Sequence, residues 1–254
     1  MHVDEWQPAR SAGHCLHERL GLFERHGVRG IAFIGLEVQG KEGPSAGSGK
    51  STTMRAVAAR LRGDARDVLS ITEDDVWGYR QLGAAPVDRS SALPLFVELL
   101  HEGRDGGTSP AMVVEAFQLL MQEALDRSAI WLQGWTWVDM FSMLGWDRQM
   151  RLQTSTRLQQ MSAPLLPVVV YLRLDPSQAL RRALDERGTT WFNRYAQRPL
   201  EEPVTAELVS EVAARKREAE PQRIADLAGW QVLFVDGSSA EADVADAVWR
   251  DAHL

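Results

Sequence analysis

The chain has 254 residues, 44% of them hydrophobic and 25% charged, with a formal net charge of −7 and one cysteine. These values exclude a collagen-like, disordered or disulfide-stapled chain, and the acidic balance speaks against a general nucleic-acid binder. The longest apolar stretch, 163–172, is shorter than the roughly 20 residues a membrane-spanning helix needs. The N-terminus, MHVDEWQPAR, has no apolar signal core, and Cys15 has no second cysteine to pair with, which suits a reducing compartment. A soluble, cytoplasmic protein is expected, with no membrane or nucleic-acid partner.

Strand-like and helix-like stretches alternate along the sequence. An apolar run at 31–38 follows the Gly30 break, as in a buried parallel strand. A glycine-rich loop precedes a helical stretch at 51–61, which carries Met54, Val57 and Leu61 on one face. A second strand at 68–72 runs into Glu73, Asp74 and Asp75. Helical stretches at 90–101 and 110–125 flank a turn-rich segment, and 129–135 is a third strand followed by a long helix to about residue 161. The fourth strand, 167–174, is the clearest. Helices at 178–186 and 205–225 then enclose an irregular, arginine-rich middle, before a fifth strand at 230–235 and a helix at 240–251.

This alternation predicts an α/β fold with a mostly parallel five-stranded sheet and helices on both faces. Residues 1–29 read as an N-terminal helical extension and 30–254 as the main domain. Ligands of such sheets sit outside the carboxyl ends of the strands, so the loops after the first three strands are where chemistry is expected.

Only three lysines, Lys41, Lys50 and Lys216, stand against twenty-five arginines. Lys50 lies in Gly43-Pro-Ser-Ala-Gly47-Ser48-Gly49-Lys50-Ser51-Thr52, between a predicted strand and a predicted helix, as a phosphate-binding loop requires. Glycines let successive N–H groups point inward, and the helix start adds positive potential. Gly47, Ser48, Gly49, Lys50, Ser51 and Thr52 are thus the nucleotide-binding candidates. Lys50 would reach the β- and γ-phosphates of ATP and the Ser51 hydroxyl would hold Mg²⁺. The pattern G-x-x-x-x-G-K-[ST] is met imperfectly, because Pro44 occupies its first position and Gly43 comes one residue early. The same stretch fits the nucleophile elbow G-x-S-x-G through Ser45. That reading needs a later histidine on a post-strand loop, and neither His101 nor His253 sits on one.

The loop, with Asp175-Pro-Ser-Gln-Ala-Leu-Arg-Arg182-Ala-Leu-Asp-Glu-Arg187-Gly188 after the fourth strand, resembles the P-loop nucleoside and nucleotide kinases, most closely the thymidylate kinase-like group. The resemblance runs from about residue 31 to 249 and implies a three-layer P-loop NTPase fold with an arginine-rich lid at about 182–203. It also implies ATP and Mg²⁺ as cofactors and a small-molecule phosphate acceptor. Arg182 and Arg187 fall on the family's two lid positions. Arginines closing over a nucleotide would stabilise transferring charge and exclude water; a solvated helix face with i,i+4 ion pairs is the plainer reading.

Uridine kinase-like relatives carry an Asp-Asp-aromatic run after the second strand, and deoxynucleoside kinases a glutamate followed by a tryptophan. Asp74-Asp75-Val76-Trp77 and Glu73 with Trp77 partly satisfy both. The resemblance therefore makes Asp74, then Glu73, the acceptor of the hydroxyl proton, and Asp75 a further Mg²⁺ ligand. Helix capping by aspartate remains open for all three. At the third strand the pattern departs: Gln133-Gly-Trp135-Thr-Trp137 stands where relatives have a charged pair. Gln133 would hydrogen-bond the acceptor, with Arg80 or Arg89 in place of the missing arginine. Trp77 and Trp135 read either as an aromatic wall of the acceptor site or as core.

Three readings stand at this point. The first is an ATP-dependent kinase of a nucleoside or nucleotide hydroxyl or phosphate. The second is a kinase of an antibiotic or other secondary-metabolite hydroxyl, and the third is an ATP-hydrolysing switch. His14, Cys15 and His17 are too compact for a structural zinc site; the helix around them suits a cap on the sheet or a contact with a second copy in a homodimer.

Overall fold

The computed structural model describes residues 30–35, 47–71, 92–104, 108–127, 129–134, 146–162, 168–196, 198–225, 227 and 231–251. The elements are β1 (Gly30–Gly35), α1 (Lys50–Gly63), β2 (Val68–Ile71), α2 (Ala92–Arg104), α3 (Pro110–Arg127), β3 (Ile130–Gln133), α4 (Arg148–Ser162), β4 (Val168–Arg173), α5 (Pro176–Tyr195), α6 (Ala206–Ala225), β5 (Gln231–Asp236) and α7 (Glu241–Asp251). The strands form one sheet in the order β2-β3-β1-β4-β5, and every pairing is parallel. All five carboxyl ends therefore share one edge.

Two helical layers cover the sheet because the strand residues alternate between its faces. Ile31, Phe33, Leu132, Val170, Leu172 and Val235 pack against Met54, Val57 and Leu61 of α1 and Val244 and Val248 of α7. On the other face Leu69, Ile71 and Trp131 meet Phe96, Phe117, Leu120, Met121 and Leu158 from α2, α3 and α4. Further along that face Ala32, Ile34, Val169 and Tyr171 meet Ile224 and Leu227. Each large side chain buried this way contributes roughly 1.5–3 kcal/mol.

A separate cluster joins the two halves of a helical hairpin. Leu180 and Phe192 of α5 are buried against Val209, Val212 and Ala213 of α6. The middle expected to be irregular is helical through Tyr195, and the helix breaks only at Gly188, where φ is 79° and ψ 173°. Glycine tolerates that conformation, so one helical segment ends at the kink and a second follows it directly to Tyr195. Beyond it Asn193 is fully buried and its amide donates to the carbonyls of Leu200 (3.2 Å) and Glu202 (2.6 Å), while Arg198 pairs with Glu202.

Two ion pairs hold elements together. Arg127 of α3 bonds both carboxylate oxygens of Asp67, just before β2, at 2.8 Å each, and Glu123 at 3.3 Å. Glu123 also accepts the Ala92 amide at 2.9 Å, so the start of α2 is tied to α3. Asp175 accepts the Ser177 amide at 2.9 Å in the first turn of α5 and pairs with Arg217 of α6 at 2.7 Å. The Arg217 guanidinium, helped by the Ser177 amide, holds the Asp175 carboxyl below its ordinary value against the opposing effect of burial. Among the described residues no helix is long and apolar enough to cross a membrane.

Candidate functional site

Gly47, Ser48 and Gly49 lead into α1, with both glycines at φ 85°, the left-handed region that disfavours any other residue. The chain can make this curl only because three neighbours leave it room. A Cβ on Gly35 would meet the Ser48 side chain at 2.5 Å, and one on Gly237 would lie 3.5 Å from the Ser48 carbonyl oxygen. A Cβ on Gly47 would collide with the Ala179 carbonyl of α5. At Gly49, by contrast, nothing stands within 4 Å of the Cβ direction. The loop is thus braced from β1, α5 and the turn after β5, and has space at Gly49.

Gly49 caps α1 without a side-chain hydrogen bond, and no acid lies in the helix's first turn. Those amides retain their positive potential, which suits an anion. Ser51 is exposed in this turn and Thr52 half-buried, whereas Ser48 and Lys50 are each only 7% exposed.

The register explains where Lys50 goes. Gln133, the last residue of β3, lies opposite Ala32, whereas β1 continues through Phe33, Ile34 and Gly35. The short strand leaves a step beside β1, and the Lys50 ammonium donates to the Gly134 carbonyl there at 3.2 Å. Gly134 in turn donates its amide to the Ile71 carbonyl at the end of β2, 3.0 Å away. One buried lysine therefore links the glycine loop to the ends of β3 and β2, the strand after which Glu73, Asp74 and Asp75 follow.

Gln133 is fully buried and accepts the Trp131 indole N–H at 3.0 Å. An indole only donates, so the glutamine's oxygen faces Trp131 and its amide nitrogen points elsewhere. Arg182 donates to the Gly237 carbonyl at 3.3 Å, and Arg187 lies over the Trp191 ring at 5.3 Å. Glu73, Asp74, Asp75, Trp77, Arg80, Arg89, Trp135 and Trp137 lie outside the described residues, as do the 38–43 stretch and the histidines near Cys15. Trp131 and Trp146 are core; the Trp146 indole donates to the Thr108 carbonyl at 3.1 Å.

Beside Gly237 a groove of about 480 Å³ runs along the ends of β4 and β5, lined by Arg173, Asp175, Gln178, Arg217, Asp236 and Ser238 among others. Sequence reasoning did not single out Gly35, Gly134 or Gly237. Their signal was a glycine at or just past a strand end, a place where backbone often approaches backbone.

No known family profile and no curated protein matches the chain. Among solved structures it is similar to a deoxyadenosine kinase from M. mycoides with products dCMP and a flexible dCDP bound. That alignment has 15% identity and a TM-score of 0.39, covering 88% of this chain and 98% of the other. The same kinase with bound dATP aligns at 14% identity and a TM-score of 0.39, covering 89% of this chain and all of that one.

Proposed function

We propose that the chain is an ATP-dependent small-molecule kinase of the P-loop type, transferring the γ-phosphate to a hydroxyl or phosphate of a nucleoside- or nucleotide-like acceptor. The observation that carries this reading is Lys50. It is a buried ammonium in the first turn of an uncapped helix, behind two left-handed glycines, and it reaches toward the strand ends where the acidic run follows. An ammonium has three donors, so the bond to the Gly134 carbonyl does not by itself exclude phosphate oxygens. The loop amides and the start of α1 would bind and orient the nucleotide's phosphates.

Ser51, exposed at the start of α1, would hold Mg²⁺ with the phosphate oxygens, and Asp75 is the proposed carboxylate ligand. Bound there, the ion would neutralise charge on the phosphates. Asp74, or Glu73 in its place, would orient the acceptor hydroxyl and take its proton as the new P–O bond forms. Arg187 on α5 would add positive charge on the side of the loop away from β3, with the lid closing to exclude water, while Arg182, the other lid arginine, keeps to the Gly237 carbonyl. Trp77, Arg80, Gln133 and Trp135 are the proposed acceptor contacts.

One observation favours the second reading, a kinase of an antibiotic-like hydroxyl. The end of β3 offers the neutral Gln133, whose oxygen Trp131 occupies, where a phosphate-bearing acceptor would be best served by a cation. The test is ADP release from Mg·ATP across nucleosides, nucleoside monophosphates and hydroxylated antibiotics, with Lys50→Ala and Asp74→Asn alongside. A phosphorylated product seen by mass, and lost in both variants, supports the kinase and names its acceptor. ADP release at one rate with every acceptor, indifferent to Asp74→Asn, would replace it with an ATP-hydrolysing switch.

A further inference from the structure

The phosphate loop is enclosed by a ring of contacts that passes through Arg182. Gly47 abuts the Ala179 carbonyl of α5. One turn later on the same helix, Arg182 donates to the Gly237 carbonyl at 3.3 Å. Gly237 lies behind the loop: a Cβ added to it would stand 3.5 Å from the Ser48 carbonyl oxygen, an ordinary contact distance, and its amide donates to the Arg173 carbonyl at 2.6 Å. The turn 236–240 is thus held between the end of β4 and the back of the loop. Among the described residues Arg182 supplies the side-chain hydrogen bond to it from α5. Asp236 and Ser238 stiffen it locally, through the Ser238 amide on the Asp236 carboxylate at 2.8 Å.

We propose that Arg182 is a positioning residue, fixing the shape of the phosphate loop by clamping Gly237 against Ser48 and not by touching the nucleotide. This deepens the kinase reading and rests on it for its consequence, though not for the clamp itself. The physical basis is that a guanidinium donor, here at 3.3 Å, adds a charge-assisted hydrogen bond to the backbone bond that already holds Gly237. A loop whose amides must converge on phosphate also gains affinity from being held in that shape beforehand. A phosphate ligand would instead stabilise ATP over ADP, since its charge would act on the terminal group.

The test compares Arg182→Ala with Arg181→Ala, the exposed neighbour outside the ring, in the full-length protein. Two quantities are read: amide hydrogen exchange across residues 231–243 without nucleotide, and the dissociation constants of Mg·ADP and Mg·ATP. The clamp predicts roughly three- to tenfold faster exchange at Gly237 and the following turn in Arg182→Ala alone. It also predicts weakening of both nucleotides by the same factor, with Arg181→Ala like wild type. Unchanged exchange with ATP weakened far more than ADP would make Arg182 a direct phosphate ligand and overturn the proposal. Unchanged exchange with both affinities intact would overturn it too. If the wild type binds neither nucleotide, the kinase reading fails by itself, and the exchange comparison still decides the clamp.

Discussion

The glycine loop before α1 and the α5–α6 hairpin stand side by side at the same edge of the sheet, yet they are held by different means. Around the loop, glycine backbone is approached closely: an added carbon would crowd the Ala179 carbonyl at Gly47, the Arg173 carbonyl at Gly237 and the Ser48 side chain at Gly35. In the hairpin, side chains do the holding, through the Phe192 cluster, the Asn193 amide and the Asp175–Arg217 pair. The difference teaches where each region can change. Backbone contacts fail abruptly, because there is no shorter side chain than hydrogen; side-chain contacts fail by degrees.

The sharpest test is Gly47→Ala. The new methyl would enter the Ala179 carbonyl and the residue would still need φ 85°, so α5 or the loop must move. A loss of about 3 kcal/mol or more in chemical denaturation is expected, together with loss of nucleotide binding. Phe192→Ala comes next: a fully buried ring in the hairpin cluster should cost roughly 3 kcal/mol. Unlike Gly47→Ala it should leave the nucleotide's dissociation constant within a small factor at temperatures where the protein is folded. Equal effects of the two variants on binding would break the comparison.

Gly49→Ala isolates backbone strain from collision, since φ is again 85° but the space is open. Only about 1–2 kcal/mol is expected, and a loss as large as that of Gly47→Ala would show that crowding is not the cause. Asp175→Ala removes both a helix cap and the clip to α6. We expect about 1 kcal/mol from thermal unfolding, with Arg217→Ala giving less because it spares the cap.

The smallest effect lies outside both regions and sets a baseline for them. The Arg127 guanidinium holds the Asp67 carboxyl below its ordinary value. The stabilisation is therefore present above the ordinary carboxylate range and is lost as the pH falls below about 4, when the folded carboxylate takes up its proton. Both partners are partly exposed, so the pair is worth less than about 1 kcal/mol. Asp67→Asn should lower stability at neutral pH by up to that amount and converge with the wild type at low pH, so that the acid limb of the stability curve flattens. A steeper acid limb in the variant would contradict the assignment.

Much of this architecture was legible from local pattern. The apolar runs at β1 and β4, the helical spacing of Met54, Val57 and Leu61, and the Gly47-Ser-Gly-Lys50 loop between strand and helix all specify their own conformation. Period and backbone permissiveness are properties of neighbouring residues. The five strands and their surrounding helices were placed to within a few residues. The exception is α5, where an irregular, arginine-rich middle was expected after residue 186; the helix is kinked at Gly188, and a second helical segment follows in which Phe192 and Asn193 are buried against α6 and the 198–202 turn.

Tertiary structure decided what lies between elements distant in sequence. The order β2-β3-β1-β4-β5 puts the end of β3 beside β1 and makes it stop short, which gives Lys50 the Gly134 carbonyl eighty-four residues away. It brings Ala179 and Gly237 against the loop and turns Arg182 onto a backbone carbonyl. A motif states which side chains are present and what local turn they favour. Strand register and helix docking are settled by the burial of the whole core, and they determine which distant carbonyl each of those side chains meets.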